Sequence, residues 1–333
     1  MRIAPDAMGG DQAPEKIVAG AINACNIHDD IDIVLVGKPA AIRKELPSEY
    51  KNIEIFEAGE IIEMDDIPTR AIQRKKDSSI VRGMELLKGK KVDAFISAGN
   101  TGAVMAAGLF KLGRIKGIKR PSILINFPSI KGRTIVMDNG ANTDCKPEHL
   151  LQFALMGQIY ARAVKGIKEP RVGLLSIGEE KRKGNQLVKD TYQMMEEDPR
   201  IENFTGNVEG RDIFTGNCDL VICDGFVGNV ILKTTEGVAE LMFDLLKKAL
   251  TKNIRAKLGA LLLKPYLKAL RDKGDYRQYG GAPLLGVEGV VIISHGNSDE
   301  IAIMNAINMA RNTIENNITG LIKNEITGEG DNK

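Results

Sequence analysis

Lys183 and Asn229 are the two side chains in this sequence best suited to charge stabilisation. Lys183 stands in EEKRKGN, directly after an apolar run, and Asn229 stands in the glycine-rich stretch CDGFVGNV. A lysine ammonium and an asparagine amide beside backbone N–H groups can bind a dianion and polarise a carbonyl. Each also has an ordinary interpretation, because Lys183 lies in a basic loop beside Lys181 and Arg182, and Asn229 is a candidate helix N-cap.

The motifs of several common enzyme classes are absent. The sequence has no GxxxxGK[ST] loop, no GxSxG elbow and no HExxH pair. No GxGxxG follows the first predicted strand, which argues against a dinucleotide-binding dehydrogenase. His149 lies in the opening turn of a predicted helix and is interpreted as structural, whereas His295 follows a strand and stays a binding candidate. The four cysteines form no CxxC pair, so neither a metal site nor a disulfide framework is indicated.

Composition narrows the class of protein. The chain has 333 residues, of which 46 are basic and 44 acidic, giving a formal net charge of +2. This balance does not favour a nucleic-acid partner. No apolar run approaches the roughly 20 residues that span a bilayer, and the N-terminus lacks the apolar segment of a signal peptide. We expect a cytoplasmic protein with reduced cysteines.

Apolar runs such as IDIVLVG and DLVICDG predict strands that are covered on both faces. The predicted strands are 2–7, 33–36, 53–56, 92–97, 123–127, 134–138, 172–177, 220–224 and 289–294. The predicted helices are 14–26, 69–88, 102–112, 147–164, 185–197, 228–252 and 298–317. This alternation predicts one doubly wound α/β/α sandwich with a mostly parallel sheet over residues 1–333.

Glycine together with Asn, Ser, Thr or Asp follows six of the predicted strands. The six stretches are MGGD, SAGNTG, NGANTD, GEEKRKGN, DGFVGN and HGNSD. A single loop of this kind is an ordinary turn with an N-cap. Six together are expected at one rim of a parallel sheet, where ligands bind. Because glycine admits close approach and helix N-termini attract anions, the sequence predicts a phosphate-binding rim.

A basic segment lies between residues 247 and 273. Its basic residues are Lys247, Lys248, Lys252, Arg255, Lys257, Lys264, Lys268, Arg271 and Lys273, and its leucines are Leu258, Leu261, Leu262, Leu263, Leu267 and Leu270. The pattern fits an ordinary surface helix or an amphipathic helix that docks on an anionic partner. Because Pro265 is expected to break or kink the helix, residues 240–280 are predicted to form a protruding helical hairpin. Its candidate docking residues are Lys257, Leu258, Leu261, Leu262, Lys264 and Lys268.

Nine stretches, in order along nearly the whole chain, closely resemble the bacterial phosphate acyltransferases of phospholipid synthesis. They are DAMGGD, QRKKDSSIV, SAGNTGAVMAAGLFKLGRIKGIKRP, DNGANTDCKPEHL, GLLSIGEEKRKGN, NVEGRDI, CDGFVGNVILKTTEG, YGGAPLLGV and HGNSD. Pro5, Asn139 and Cys145 depart from the residues usual in that family. The family makes acyl phosphate from acyl-acyl carrier protein (ACP) and inorganic phosphate. The resemblance therefore implies an acyltransferase without a cofactor, similar in fold to phosphotransacetylases and to the isocitrate/isopropylmalate dehydrogenase group.

The resemblance also implies roles for particular residues. Lys183 would hold the phosphate or the developing oxyanion, and Asn229 would hydrogen-bond the thioester carbonyl or the phosphate. The substrate pocket would be lined by Asp6, Gly9, Gly10, Ser97, Gly99, Asn100, Thr101, Gly102, Asn139, Gly140, Asn142, Gly228 and His295. Phosphate dianion is itself a nucleophile and a thiolate is a fair leaving group. Positioning and charge stabilisation would then carry most of the rate without a Ser or Cys nucleophile.

The resemblance further implies a homodimer, peripheral contact with an anionic membrane and a downstream membrane acyltransferase. The basic segment is the expected contact for the acidic ACP, for lipid or for both. Two alternatives remain open at this point. The first is an NAD-dependent dehydrogenase of the isopropylmalate type, for which EMDDIP is the candidate acidic cluster. The second is a non-catalytic anion-binding protein.

Overall fold

The computed structural model describes residues 1–47, 50–274 and 276–328, without the side chains of residues 269–276. Leu270, Arg271 and Lys273 of the basic segment therefore lie outside the described side chains. The strands are Arg2–Pro5 (β1), Asp32–Gly37 (β2), Ile53–Glu57 (β3), Ala94–Ser97 (β4), Ser122–Ser129 (β5), Gly132–Met137 (β6), Val172–Leu175 (β7), Phe204–Val208 (β8), Leu220–Ile222 (β9), Ala282–Leu285 (β10) and Val290–Ile293 (β11). The helices are Glu15–Ile27 (α1), Pro39–Glu45 (α2), Pro68–Arg74 (α3), Ser79–Lys88 (α4), Thr101–Ala107 (α5), Pro147–Ala163 (α6), Gln186–Glu197 (α7), Asp212–Thr215 (α8), Gly225–Thr251 (α9), Ile254–Gly274 (α10), Glu300–Glu315 (α11) and Ile318–Thr327 (α12).

In the described residues, all strands join one sheet in the order β3-β2-β1-β4-β11-β10-β5-β6-β9-β7-β8. Neighbours from β3 to β11 are parallel, and neighbours from β6 to β8 are parallel again. Between these blocks, β10 is antiparallel to β11 and to β5, and β5 is antiparallel to β6. The mostly parallel α/β sheet is confirmed, and the two parallel blocks run in opposite directions.

Both faces of the sheet are covered. On β2, Ile33 and Leu35 join a hydrophobic cluster with α1 and α11, whereas Val34 and Val36 join a different cluster with α4 and α5. Successive side chains of a strand point to opposite faces, so every position of such a strand must be apolar. This arrangement explains the continuous apolar runs in the sequence and gives the predicted α/β/α layers.

The reversal of strand direction separates the six glycine-rich junctions. The carboxyl ends of β1, β4 and β11 lead into residues 6–12, 97–102 and 294–299, which we call the first edge. The carboxyl ends of β6, β7 and β9 lead into residues 138–142, 176–185 and 223–229, which we call the second edge. Because the two blocks are antiparallel to each other, these edges lie at opposite ends of the strands. The expectation that all six junctions share one rim is wrong.

Several elements differ from the sequence-based expectation. All nine predicted strands occur, but β8 and β10 were not predicted, because each is short and contains glycine or proline. The predicted helix 69–88 is two helices, since Ser78 caps α4 by accepting the Val81 N–H. The helix predicted to begin at residue 228 begins at Gly225, because Asp224 is its N-cap.

The basic segment forms α10 and the end of α9. These helices pack against each other, and residues 252–253 connect them. Pro265 lies inside α10. The helix therefore continues through the position where a break or kink was expected. Among the described residues, no helix is long and apolar enough to cross a membrane.

Candidate functional site

The second edge contains both candidate catalytic residues. Lys183 follows β7 and Asn229 follows β9, and these strands are neighbours in the sheet. Adjacent strands lie about 4.8 Å apart, so both loops leave the sheet side by side. The side chains of Lys183 and Asn229 are both exposed. The structure therefore places a cation and an amide at one edge, open to a ligand.

The loop after β6 is organised by the buried carboxylate of Asp138. Its Oδ1 accepts the backbone N–H of Ile123 at 3.0 Å and that of Ala141 at 3.3 Å. Its Oδ2 accepts the backbone N–H of Asn142 at 2.7 Å and the Asn142 side-chain amide at 2.8 Å. Burial raises the pKa of Asp138 above its usual range, against the lowering effect of these hydrogen bonds. Asp138 thus fixes both the start and the end of a short turn.

This turn packs against the start of α9. The Asn142 carbonyl accepts the Gly225 N–H at 2.7 Å. Gly140, which is exposed and has φ +97°, lies against the side chain of Asn229: a Cβ at Gly140 would be 3.7 Å from the Asn229 Oδ1. At Gly228, a Cβ would come within 1.9 Å of the Asp138 carbonyl oxygen. Glycine is therefore favoured at position 140 by its positive φ and required at position 228 by the close approach of two backbones.

Asn229 is not an N-cap, which removes its ordinary interpretation. Asp224 has that position, and its Oδ1 accepts the Val227 N–H at 2.9 Å. Asn229 lies one turn further along α9, with its side chain exposed beside Gly140. Its side chain is therefore exposed at the second edge and does not cap the helix.

Lys183 lies in a loop whose two lysines, Lys181 and Lys183, differ in their ion pairs. Its neighbour Lys181 forms an ion pair with Glu196 and lies 5.2 Å from the Tyr192 ring centroid. No ion pair of Lys183 occurs among the described residues, and its aliphatic stem lies against Gly178. The two lysines, two positions apart, are therefore differently placed to bind an anion.

Asn139 and Asn142 of the second edge turn inward. The Asn139 amide donates to the Val136 carbonyl at 2.7 Å, and the Asn142 amide donates to the Pro121 carbonyl at 2.7 Å. Both side chains are buried. Of the residues predicted for this loop, Gly140 is the one whose surface faces outward.

At the first edge, the predicted polar side chains also bond inward. Asp6 is buried, and its carboxylate accepts the Ser97 hydroxyl at 2.7 Å and the Met8 N–H at 3.0 Å. Burial raises the pKa of Asp6, against the effect of these hydrogen bonds. The Gly99 N–H donates to the Ser97 hydroxyl. Because that hydroxyl in turn donates to Asp6, it links the loop after β4 to the loop after β1. A Cβ at Gly9 would lie 2.5 Å from the Asp6 carboxylate.

Asn100 is the N-cap of α5 and fastens a neighbouring turn. Its Oδ1 accepts the Ala103 N–H at 3.0 Å. Its amide lies 3.1 Å from each of the carbonyl oxygens of Glu63, Met64 and Asp66. These contacts occupy the polar atoms of Asn100 within the protein. Of the remaining predicted residues here, Gly10 lies in the loop after β1, and Thr101 and Gly102 are the first two residues of α5.

Thr101 and His295 are the predicted side chains at the first edge that are exposed. The His295 Nδ1 accepts the Asn297 N–H at 3.2 Å, within the turn after β11. His149, by contrast, accepts the Lys146 N–H through Nδ1 at the start of α6, which fits its structural interpretation.

The cysteines near the second edge are not poised as nucleophiles. Burial raises the pKa of the Cys145 thiol to about 12 and raises that of Cys223 well above its usual value. The negative charges of Asp138 and Asp224 act in the same direction on both thiols. A thiol with a raised pKa holds its proton at neutral pH, so covalent catalysis through either cysteine is disfavoured.

Sequence reasoning missed Asp138 and Asp224 as organising residues. Each ends a predicted apolar strand and lies one or two residues before a glycine, in DNGAN and CDGFVGN. An aspartate in that position is a common acceptor for the N–H groups of the following turn or helix. The position of each aspartate at the end of a strand could therefore have indicated its role. Polar residues before glycine occur at the other junctions too, so this pattern did not single out Asp138 and Asp224.

Comparison with known proteins identifies the family. A family model described as "Fatty acid synthesis protein" matches residues 1–320. The chain belongs to this family. A phosphate acyltransferase from Halothermothrix orenii is 57% identical over 335 residues, covering 99% of this chain and 100% of that protein. Another, from Desulfitobacterium hafniense, is 52% identical over 329 residues, covering 98% of each.

Solved structures support the fold of this fatty acid synthesis family member. A phosphotransacetylase from Streptococcus pyogenes matches with a TM-score of 0.61 and 16% identity, covering 95% of this chain and 94% of that one. A branched-chain phosphotransacylase from Enterococcus faecalis matches with a TM-score of 0.57 and 13% identity, covering 94% and 99%. The predicted likeness in fold to phosphotransacetylases is confirmed.

Proposed function

We propose that this chain is a phosphate acyltransferase, which moves a long-chain fatty acyl group from acyl-ACP to inorganic phosphate for phospholipid synthesis. The proposal is supported by relatives with that name over nearly the full length of the chain. The structural observation that carries it is the placement of Lys183, in the loop after β7, and Asn229, at the start of the helix after β9, at the same edge of two adjacent strands. The dehydrogenase and the non-catalytic alternatives are not favoured by these relatives.

In the proposed reaction, an oxygen of phosphate dianion attacks the thioester carbonyl carbon. A tetrahedral intermediate forms, and its negative oxygen needs a positive or hydrogen-bonding partner. The C–S bond then breaks, giving acyl phosphate and the ACP thiolate, which takes up the proton that the hydrogen phosphate carried. Each step uses only the two substrates.

Lys183 and Asn229 divide the work in this scheme. The Lys183 ammonium binds the phosphate and balances the charge that grows in the transition state. The Asn229 amide donates a hydrogen bond to the thioester oxygen. Gly140 lies beside the Asn229 side chain, and because it has no side chain of its own it leaves room there for substrate. Holding both reactants together supplies much of the remaining rate enhancement.

The first edge has a smaller part in this proposal. Asp6, Ser97, Asn100 and the glycines around them shape two loops, since their polar groups bond within the protein. Contact with substrate there is left to the exposed side chains of Thr101 and His295.

We assign ACP and membrane docking to α10 and the end of α9. Leu258, Leu261 and Leu262 are 61%, 66% and 78% exposed, beside the exposed Lys257, Lys264 and Lys268. Residues 254–268 contain no acidic residue. An exposed apolar and basic surface suits an anionic lipid surface or an acidic carrier protein.

A homodimer and a downstream membrane acyltransferase complete the proposal. Phe243 and Leu245 on α9 are also exposed, which suits contact with a second copy. Acyl phosphate is an activated acyl donor, so an acyl-accepting enzyme at the membrane would consume it.

The direct test is incubation of the purified chain with palmitoyl-ACP and phosphate. We expect ACP thiol release that depends on phosphate, with acyl phosphate trapped by hydroxylamine as the hydroxamate. A dehydrogenase would release no thiol without NAD, and a binding protein would release none under any condition. Thiol release that is equal without phosphate would indicate a thioesterase and would contradict the proposal.

A further inference from the structure

The loop after β6 is tied to its surroundings through one buried side chain. Asp138 is fully buried, and four N–H groups from Ile123, Ala141 and Asn142 converge on its two oxygens at 2.7 to 3.3 Å. Ile123 belongs to β5, so the carboxylate links the loop to a second strand. A buried carboxylate with this many donors is expensive to replace, because each donor would be left without a partner.

The same loop reaches Asn229 by two routes. In the first, the Asn142 carbonyl accepts the N–H of Gly225, the first residue of α9. In the second, Gly140 is a neighbour of the Asn229 side chain, since a Cβ at Gly140 would lie 3.7 Å from the Asn229 Oδ1. The close approach of Gly228 to the Asp138 carbonyl leaves little room for α9 to shift relative to the loop. The position of Asn229 is therefore set by the loop that Asp138 holds.

We infer that Asp138 is a positioning residue for the acyl transfer, acting through the turn at 139–142 to hold Asn229 and Gly140 at the thioester oxygen. Asp138 has no exposed surface and does not touch substrate. The inference rests on the proposed function and adds to it a residue that neither binds nor reacts. Misplacing a catalytic group by about 1 Å costs about 100-fold in rate, so a buried hydrogen-bonding residue can control turnover.

The test is a double-mutant cycle with Asp138→Asn and Asn229→Ala, measured as phosphate-dependent thiol release from palmitoyl-ACP. Asparagine keeps the shape of Asp138 but turns one acceptor oxygen into a donor that faces other N–H groups. We expect Asp138→Asn to lower kcat by about 100-fold in the wild-type background. In the Asn229→Ala background we expect a further loss of less than about threefold, since the residue being positioned is already gone.

Asp219→Asn is the matched control. Asp219 lies just before β9, at the end of that strand away from the site, and it pairs with Arg171 at 2.8 Å. This variant also loses a hydrogen-bonded carboxylate, and we expect kcat within about twofold of wild type. If Asp138→Asn does not fold, Asn142→Ala replaces it in the cycle, because it removes one donor to Asp138 and the bond to Pro121.

The outcomes separate the two claims. Wild-type protein without phosphate-dependent thiol release would overturn the proposed function itself. An active wild type with losses that multiply in the double mutant, or with an Asp138→Asn variant that is fully active, would overturn the positioning role alone.

Discussion

At the residue scale, inward hydrogen bonding decides which candidate side chains can meet a ligand. Asp6 and Asn100 look alike in the sequence as polar residues of glycine-rich loops, yet both bond within the protein. Lys183 and Asn229 are exposed at the second edge. Sequence alone shows residue type and spacing, but the direction of a side chain depends on neighbours that are distant in the chain. For this reason the sequence could name the polar residues of these loops but could not separate the exposed side chains from those that bond inward.

Lys165 provides a pH test at this scale. Its Nζ lies 6.0 Å from the Tyr160 ring centroid, and burial, with the charge of Arg133, lowers the pKa of Lys165 from 10.5 to about 8. Below pH 8 the residue is protonated in both states, so the folded protein bears the whole cost of the buried charge. As pH rises from 8 to 10.5, the folded state loses its proton first and this cost disappears.

Lys165→Met should therefore raise the free energy of unfolding at pH 7 by about 1 to 3 kcal/mol. The gain should shrink between pH 8 and 10.5, measured by urea unfolding at several pH values. Lys168→Met, at an exposed position nearby, is the control and should change the free energy of unfolding at pH 7 by less than about 0.5 kcal/mol. If the gain stays constant across this pH range, the claim that burial lowers the pKa of Lys165 is wrong.

At the element scale, the start of α9 packs closely against the loop after β6, whereas the helix around Gly237 does not. Gly228 faces the Asp138 carbonyl, while Gly237 on the same helix has no atom within 4 Å of an added Cβ. The two glycines are indistinguishable by helix propensity. Only the packing around them separates a required glycine from a replaceable one.

Gly228→Ala should lower the free energy of unfolding by about 2 kcal/mol or more, because its methyl group would overlap a backbone carbonyl. Gly237→Ala should raise it by about 1 kcal/mol, as alanine does in a helix interior. Chemical denaturation of both variants measures the difference. Equal effects of the two substitutions would show that α9 does not approach the loop closely.

The exposed leucines of α10 provide a second test of an element. Leu262 and Leu263 are 78% and 47% exposed. The variant with Leu262→Glu and Leu263→Glu should lose flotation with phosphatidylglycerol vesicles, since charge opposes insertion into lipid. Leu321→Glu, at a position on α12 that is 41% exposed, should float like wild type. Undiminished flotation of the double variant would place the membrane contact elsewhere.

At the scale of the whole molecule, strand direction determines where the site is. The strand and helix pattern, the coverage of both sheet faces and the fold class could all be predicted from apolar periodicity. The single rim could not, because it assumed that all strands run the same way. One signal was available: the six residues between the predicted strands 123–127 and 134–138 are too few for a parallel crossover. The other two reversals depend on β10, which local propensity does not reveal.

The central claim is that Lys183 carries the charge that stabilises acyl transfer to phosphate. Its sharpest test compares Lys183→Ala with Lys181→Ala in phosphate-dependent thiol release from palmitoyl-ACP. Lys181 lies in the same loop, but its ammonium pairs with Glu196. Because that ion pair is exposed, its loss should change the stability of the fold little. We predict a loss of about 100-fold or more for Lys183→Ala and a change within about twofold for Lys181→Ala. Near-normal turnover by a folded Lys183→Ala protein would contradict the account.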